Sequence, residues 1–212
     1  MKSLFSQDHP LIRFLTLLCN LMLVNLCFLL SCIPIFTIGA AISAAYAAIF
    51  AIFREKDPSV VAVYLRALRK NLKSATLLWL PLLALLAFFA ADLYVIYVVI
   101  DPQYRLLQIP VWIFVFCLLS VMIYAFPLLA RYDTTGKQLI QNALLLSLAN
   151  VPTTIFVVVL HGVVFWVAGT SLLNLAVVVT LGVFFGCAAL LAICGFFLLR
   201  VFERTEAAQK QD

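Results

Sequence analysis

Long apolar runs alternate with short polar stretches along the whole chain. Six runs are about 20 residues long, the length an α-helix needs to cross the roughly 30 Å hydrocarbon core of a bilayer. Their predicted bounds are about 14–33, 35–53, 75–99, 109–130, 152–168 and 175–201. An alternative start for the fifth run is Ala143, with a kink at Pro152. The pattern predicts one all-α domain, a polytopic membrane helix bundle over residues 1–212.

A stripe of cations interrupts the apolar pattern over residues 58–73. The basic residues recur at helical spacing and share one face: Arg66, Arg69, Lys70 and Lys73. The apolar residues form a second face: Val61, Tyr64, Leu65, Leu68 and Leu72. This division is typical of a helix at a membrane–water interface, and a solvated helix between two spans is the simpler alternative. We therefore predict an amphipathic cytoplasmic helix that binds anionic lipid headgroups or a partner, with Asp57 as its N-cap before Pro58.

Composition excludes a soluble domain. The chain is 66% hydrophobic and 11% charged, whereas soluble domains carry about 25% charged residues. The formal net charge of +5 indicates contact with anionic lipid rather than nucleic acid, because the cations lie at span ends. The six cysteines lie in apolar runs without a CxxC pair, so we read them as small hydrophobic residues. We expect no metal and no cofactor.

Basic residues also predict the orientation of the spans. With six spans, thirteen of the fourteen Lys and Arg residues fall on one side and Arg105 falls on the other. The positive-inside rule then makes both termini cytoplasmic. A second cytoplasmic connection, 131–151, adds Arg131 and Lys137 to the candidate lipid- or partner-binding residues. The tryptophans agree, since each falls near a predicted span end: Trp79, Trp112 and Trp166.

Small residues mark two places where helices should pack closely. The second run repeats small residues every fourth position: Gly39, Ser43, Ala47 and Ala51. Such a seam lets two backbones approach in a medium that gives no hydrophobic drive, so we expect this run to be the central packing helix. Gly182 and Gly186 have GxxxG spacing in the sixth run and predict a second close contact.

Four polar residues lie inside the predicted spans and are candidates for function: Asp92, His161, Asn20 and Asn25. Buried amides usually bond to a neighbouring helix, which is our interpretation of the two asparagines. Ionisable groups in a bilayer are costly and often functional. We hypothesise that Asp92 and His161 occupy one layer and pair. A structural hydrogen bond, or an Asp92 that reaches the outer headgroups, is the alternative.

A faint internal repeat supports that layer. Arg66-x-Leu68-x-x-Asn71 is matched by Lys137-x-Leu139-x-x-Asn142. Each segment precedes an apolar run with an early proline, and aligning the halves places Val163, two positions from His161, opposite Asp92. Chance similarity between two amphipathic segments explains the match equally well.

Three segments resemble a known family: HPLIRFLTLLCNLMLVNLCFLLSCIPIFTIGAA, YLRALRKNLKSATLLWL and FPLLARYDTTGKQLIQNALLLSLANVP. They are similar to the YesL-like family of bacterial membrane proteins, a domain of unknown function. The resemblance covers most of the chain and is weakest over the last two spans. It implies a bacterial cell membrane and a role near carbohydrate uptake, with a component of an ABC transporter as a candidate partner. The chain lacks the EAA-type motif of permease subunits.

The common catalytic motifs are missing from the chain, and three function classes are considered. The first is a non-enzymatic accessory protein that docks a partner through its cytoplasmic connections. The alternative is a small-solute transporter or channel that uses Asp92 and His161 inside the bundle. An intramembrane enzyme acting on lipid has only that acid and that histidine in its favour.

Overall fold

The computed structural model describes residues 10–54, 59–99, 102–134 and 136–209. Over these ranges the chain is helical and contains no strand: α1 Pro10–Cys32, α2 Ile38–Arg54, α3 Val60–Val98, α4 Gln108–Arg131, α5 Lys137–Ala149, α6 Val151–Thr170, α7 Leu172–Leu181 and α8 Cys187–Gln209. Short 3₁₀ turns precede α2 and α4, and a π-helical segment, Gly182–Gly186, joins α7 to α8. The predicted Asp57 cap lies outside the described residues, as do Lys2, Lys56 and Lys210.

Six helical stretches are long and apolar enough to cross a membrane: Leu11–Cys32, Ile35–Arg54, Val60–Val98, Gln108–Arg131, Val151–Thr170 and Leu172–Ala207. Their length and composition fit a multi-pass membrane protein. The predicted all-helical bundle with six apolar helices is therefore confirmed. All six cysteines are free thiols.

Helix α3 is longer than the sequence pattern predicts. It has 39 residues, which at 1.5 Å per residue is about 58 Å, nearly twice the hydrocarbon thickness. The predicted separate amphipathic helix is the first half of α3 and the predicted third span is its second half. Residues 74–80 between them contain neither glycine nor proline, so the helix has no local reason to end. It also continues through Pro81.

The structure settles where the fifth apolar helix begins. Helix α5 ends at Ala149, and α6 begins at Val151 with Pro152 in its first turn. Proline there has no hydrogen bond to lose and its fixed φ suits the start of a helix. The alternative start near Ala143 is not observed, because α5 is a separate helix.

Helix α2 lies at the centre of the bundle and packs against α1, α3, α4 and α8. Gly39 lies where α2, α3 and α4 meet. A β-carbon on Gly39 would be 2.7 Å from Trp79 Cβ and 2.9 Å from Phe126 Cε1, so any larger residue would force its neighbours on α3 or α4 to move. Ser43 is fully buried, while Ala47 is partly buried. Small residues thus line the closest approaches of α2, as membrane helix packing requires.

Helix α2 runs beside the first half of α3. Asn71 donates a 3.0 Å hydrogen bond to Ser43 Oγ, and Trp79 Nε1 donates one of 3.0 Å to the Ile35 carbonyl. Trp79 is therefore buried against the start of the second apolar stretch, and its position at the membrane interface stays a prediction. Trp112 and Trp166 are exposed. The cationic stripe therefore lies on the half of α3 that packs against α2, and the helix continues from it directly into the predicted third span.

Candidate functional site

The outward surface of the first half of α3 carries four exposed cations, Arg66, Arg69, Lys70 and Lys73, which we call the α3 cationic face. Lys70 forms an ion pair with Asp133, and both side chains are well exposed. Within the described ranges Arg66, Arg69 and Lys73 form no ion pair. These three residues therefore present unneutralised positive charge to whatever lies beside α3.

An exposed apolar row lies next to the α3 cationic face: Val61, Leu65 and Leu72. At about 100° per residue these three positions fall between the buried side of α3 and the cations. The buried side is formed by Tyr64, Asn71 and Ala75. The predicted apolar face thus divides in the structure. Tyr64 packs inward, whereas the row of three stays on the surface, so the open surface of α3 is itself amphipathic.

Arg131 has a different environment from the one its charge predicts. Only 8% of its side chain is exposed, and its Nη2 lies 2.8 Å from Glu206 Oε2. The guanidinium carbon lies 5.6 Å from the Tyr132 ring and 5.7 Å from the Phe202 ring, within the range of a cation–π contact. Arg131 therefore joins α4 to α8. The sequence analysis predicts that Arg131 binds lipid or a partner, but its buried side chain is not available for either. Lys137 is exposed at the start of α5.

Tyr132 completes this ion-pair cluster. Its hydroxyl donates a hydrogen bond to Glu206 Oε1. Burial, together with that hydrogen bond, raises the pKa of Tyr132 to about 12, so the phenol stays protonated and remains a donor. A second pair, Arg54 and Glu203 at 3.9 Å, joins the end of α2 to α8. The charges at this end of the bundle stabilise helix packing.

Asn25 makes the hydrogen bonds that an amide inside a span needs. It is 1% exposed. Its Nδ2 donates to the carbonyls of Gly182 and Val183 at 3.0 and 2.8 Å, and its Oδ1 accepts from the Ala188 N–H at 3.0 Å. The interpretation of Asn25 as a bond to a neighbouring helix is therefore correct. Asn20 is partly buried and forms no side-chain hydrogen bond in the described part of the chain.

Asp92 and His161 are not joined in this structure. His161 Nδ1 lies 2.8 Å from the carbonyl of Val157, in its own helix. Helix α3 packs on α1, α2 and α4, whereas α6 packs on α4, α5, α7 and α8. No ion pair links the two residues within the described ranges. The hypothesised pair is not formed.

A small, almost wholly apolar cavity lies between α4, α5 and α6. Its volume is about 30 Å³, and Ser120, Ser147 and Thr154 are among the residues around it. This is room for about one water molecule. Thr154 Oγ1 also lies 3.2 Å from the Tyr124 hydroxyl. A cavity of this size does not admit a sugar.

Asn71 is the polar residue that sequence reasoning missed. It is 6% exposed and bonds Ser43 Oγ at 3.0 Å and the Leu129 carbonyl at 3.1 Å, which joins α2, α3 and α4. Its position seven residues after Tyr64, on the apolar side of the helix, was the available signal. Asn142, its match in the repeat, is only partly buried.

A family described as "Protein of unknown function, DUF624" matches residues 21–93, about a third of the 212-residue chain. The matched part contains much of α1, all of α2 and most of α3, including the α3 cationic face. No curated protein and no solved structure matches the chain. The description of the family gives no activity. The match and the six apolar helices together indicate a membrane protein of unknown function.

Proposed function

We propose that this protein is a non-enzymatic accessory protein of the bacterial cell membrane that docks a partner through the α3 cationic face. One observation carries the proposal. Arg66, Arg69 and Lys73 are exposed and form no ion pair in the described part of the chain. The buried cation and the buried amides, Arg131, Asn25 and Asn71, are bonded within the bundle. The groups free to act on another molecule are thus the surface cations.

The chemistry of this surface defines the partner. Cations next to Val61, Leu65 and Leu72 fit an acidic segment that also carries apolar residues. Charge attraction reaches about 8 Å at physiological salt, so it acts only on a partner at the surface. The positive-inside distribution supports a cytoplasmic position for this face. The resemblance to the YesL-like family makes a component of a carbohydrate-uptake transporter the partner class to test first.

The alternative of a small-solute transporter or channel needs a polar cavity near the middle of the membrane. Asp92 and His161 are its candidate residues. His161 bonds its own helix, and the cavity between α4, α5 and α6 has a volume of about 30 Å³. Neither observation favours transport over docking.

The test is crosslinking in native membranes followed by affinity purification of the full-length protein. The test variant is Arg66→Gln with Arg69→Gln. The matched control is Arg13→Gln with Arg204→Gln, which removes two exposed arginines from α1 and α8. We expect partner recovery to fall about tenfold in the test variant, equivalent to about 1.4 kcal/mol, and to stay unchanged in the control.

Native mass spectrometry of the same samples separates a protein partner from lipid. Loss of bound anionic phospholipid from the test variant, with no protein recovered from either sample, would make the α3 cationic face a lipid site and remove the docking function. Equal recovery in the test and control variants would place the docking surface elsewhere.

A further inference from the structure

The last apolar helix contains a π-helical segment, Gly182–Gly186, at the point where its packing changes. After this segment, α8 contributes buried residues to the core, beginning with Ala188. Before it and within it, from Val158 to Cys187, no residue is buried. Those thirty residues form most of the hairpin of α6 and α7. The hairpin is therefore attached to the bundle at its ends, through the first turns of α6 and through the π segment.

Side-chain hydrogen bonds stabilise the turn between α6 and α7. The Ser171 side chain accepts a 3.1 Å hydrogen bond from the Asn174 N–H, and Asn174 Nδ2 donates to Thr170 Oγ1 at 2.8 Å. Helices α6 and α7 also pack directly against each other. The two helices therefore behave as one unit.

Asn25 of α1 is inserted into the backbone at the base of α7. It bonds the Val183 carbonyl at 2.8 Å and the Ala188 N–H at 3.0 Å. These two backbone groups are five residues apart, which is the separation that a π-helical hydrogen bond joins directly. The amide thus bridges backbone groups that helix geometry alone would pair, and it does so from a different helix.

The π segment also depends on the absence of a side chain at Gly186. A β-carbon there would lie 2.8 Å from the Leu181 carbonyl oxygen and 2.9 Å from its carbon. At Gly182 the nearest atom to a β-carbon is Cys187 Sγ at 3.5 Å, an ordinary contact. The GxxxG pair therefore has unequal roles. Gly186 permits the wide turn, while Gly182 has room for a side chain.

We propose that the α6–α7 hairpin is a hinged unit, with Gly182–Gly186 as its hinge and Asn25 as the latch that holds it against α1. Acyl chains solvate apolar side chains about as well as protein does, so the exposed hairpin residues do not resist movement. Polar bonds in the membrane have no water to replace them. The bonds of Asn25 therefore fix the α7 end of the hairpin, while Thr154 and Val157 hold its α6 end in the bundle. Return of the segment to α-helix would turn α7 by about 100° relative to α8 for each residue of register.

The test is double electron–electron resonance on the full chain in nanodiscs, with the six cysteines replaced by alanine. One label pair, Leu77 and Leu173, spans the bundle and the hairpin. The reference pair, Arg69 and Arg204, lies on α3 and α8, and all four positions are exposed. We expect Asn25→Ala to add a displaced population to the first pair alone. Asn20→Ala, an amide replaced on the same helix, leaves both pairs unchanged.

Gly186→Ala tests the hinge with Asn25 in place. Its β-carbon forces the π turn to open, so the distance between Leu77 and Leu173 shifts, whereas Gly182→Ala has no effect. An unchanged distance in Gly186→Ala overturns the proposal. An unchanged distance between Leu77 and Leu173 in Asn25→Ala also overturns it, because Asn25 would then not hold the hairpin. Broader distance distributions for both pairs in Asn25→Ala overturn it too, because Asn25 would then support the bundle as a whole.

Discussion

Two groups of cations lie on the same predicted side of the membrane and have opposite environments. Arg131 has 8% of its side chain exposed and bonds Glu206 at 2.8 Å. Arg66 and Arg69 are exposed and form no ion pair in the described part of the chain. A guanidinium withdrawn from water is stable only with a carboxylate and hydrogen bonds around it. The comparison separates cations that hold helices together from cations that remain free to bind.

The same contrast holds for amides. Asn71 is buried between α2 and α4 and bonds both, whereas Asn142 is only partly buried. The sequence repeat treats these residues as equivalent. Two asparagines at matching positions of the repeat therefore differ in burial and in hydrogen bonding, because the neighbouring helices decide whether a polar group has a partner.

The largest effect on stability is expected for Arg131→Met. The change leaves the Glu206 carboxylate without its guanidinium and removes two ring contacts. Because Glu206 is 38% exposed, the loss is smaller than for a fully buried pair, about 2 kcal/mol. Chemical unfolding in detergent measures it, with Arg69→Met as the control that costs less than about 0.5 kcal/mol. Equal losses in the two variants would contradict the division into structural and free cations.

Next in size is Asn71→Ala. It leaves the Ser43 hydroxyl and the Leu129 carbonyl unpaired inside the bundle, at a cost of about 1.5 kcal/mol. Asn142→Ala removes the same group from a partly buried position and is expected to cost less than about 0.5 kcal/mol. The same unfolding assay compares the two variants. A similar loss of unfolding free energy in the two variants would mean that Asn71 and Asn142 are equivalent, as the sequence repeat suggests, and would contradict the observed packing.

The smallest effect is expected for Lys70→Gln. Its ion pair with Asp133 joins two well-exposed side chains, so its contribution is about 0.3 kcal/mol and disappears at high salt. Unfolding at low and at roughly 0.5 M salt measures this difference. Arg69→Gln, which breaks no ion pair among the described residues, should show no such salt dependence. A loss of stability in Lys70→Gln that persists at high salt would show that Lys70, like Arg131, holds helices together.

Much of the fold was predictable because span length and hydropathy are local properties. The six apolar helices, the bond from Asn25 to another helix and the amphipathic stretch before the third span were all read from the sequence. The fusion of the amphipathic stretch and the third span into one helix, Val60–Val98, and the burial of Trp79 were not. The burial of Trp79 depends on α2 lying beside the first half of α3, through the bonds from Asn71 and Trp79.

The amino-acid sequence by itself determined that this chain is apolar enough to form six spans and that one segment carries a row of cations. These properties are sums over about 20 neighbouring residues. Only the tertiary structure decided which polar groups are satisfied. Arg131 meets Glu206 from 75 positions away, and Asn25 meets the Ala188 N–H from 163 positions away. Pairing of this kind depends on how helices pack in three dimensions, and no local pattern encodes it.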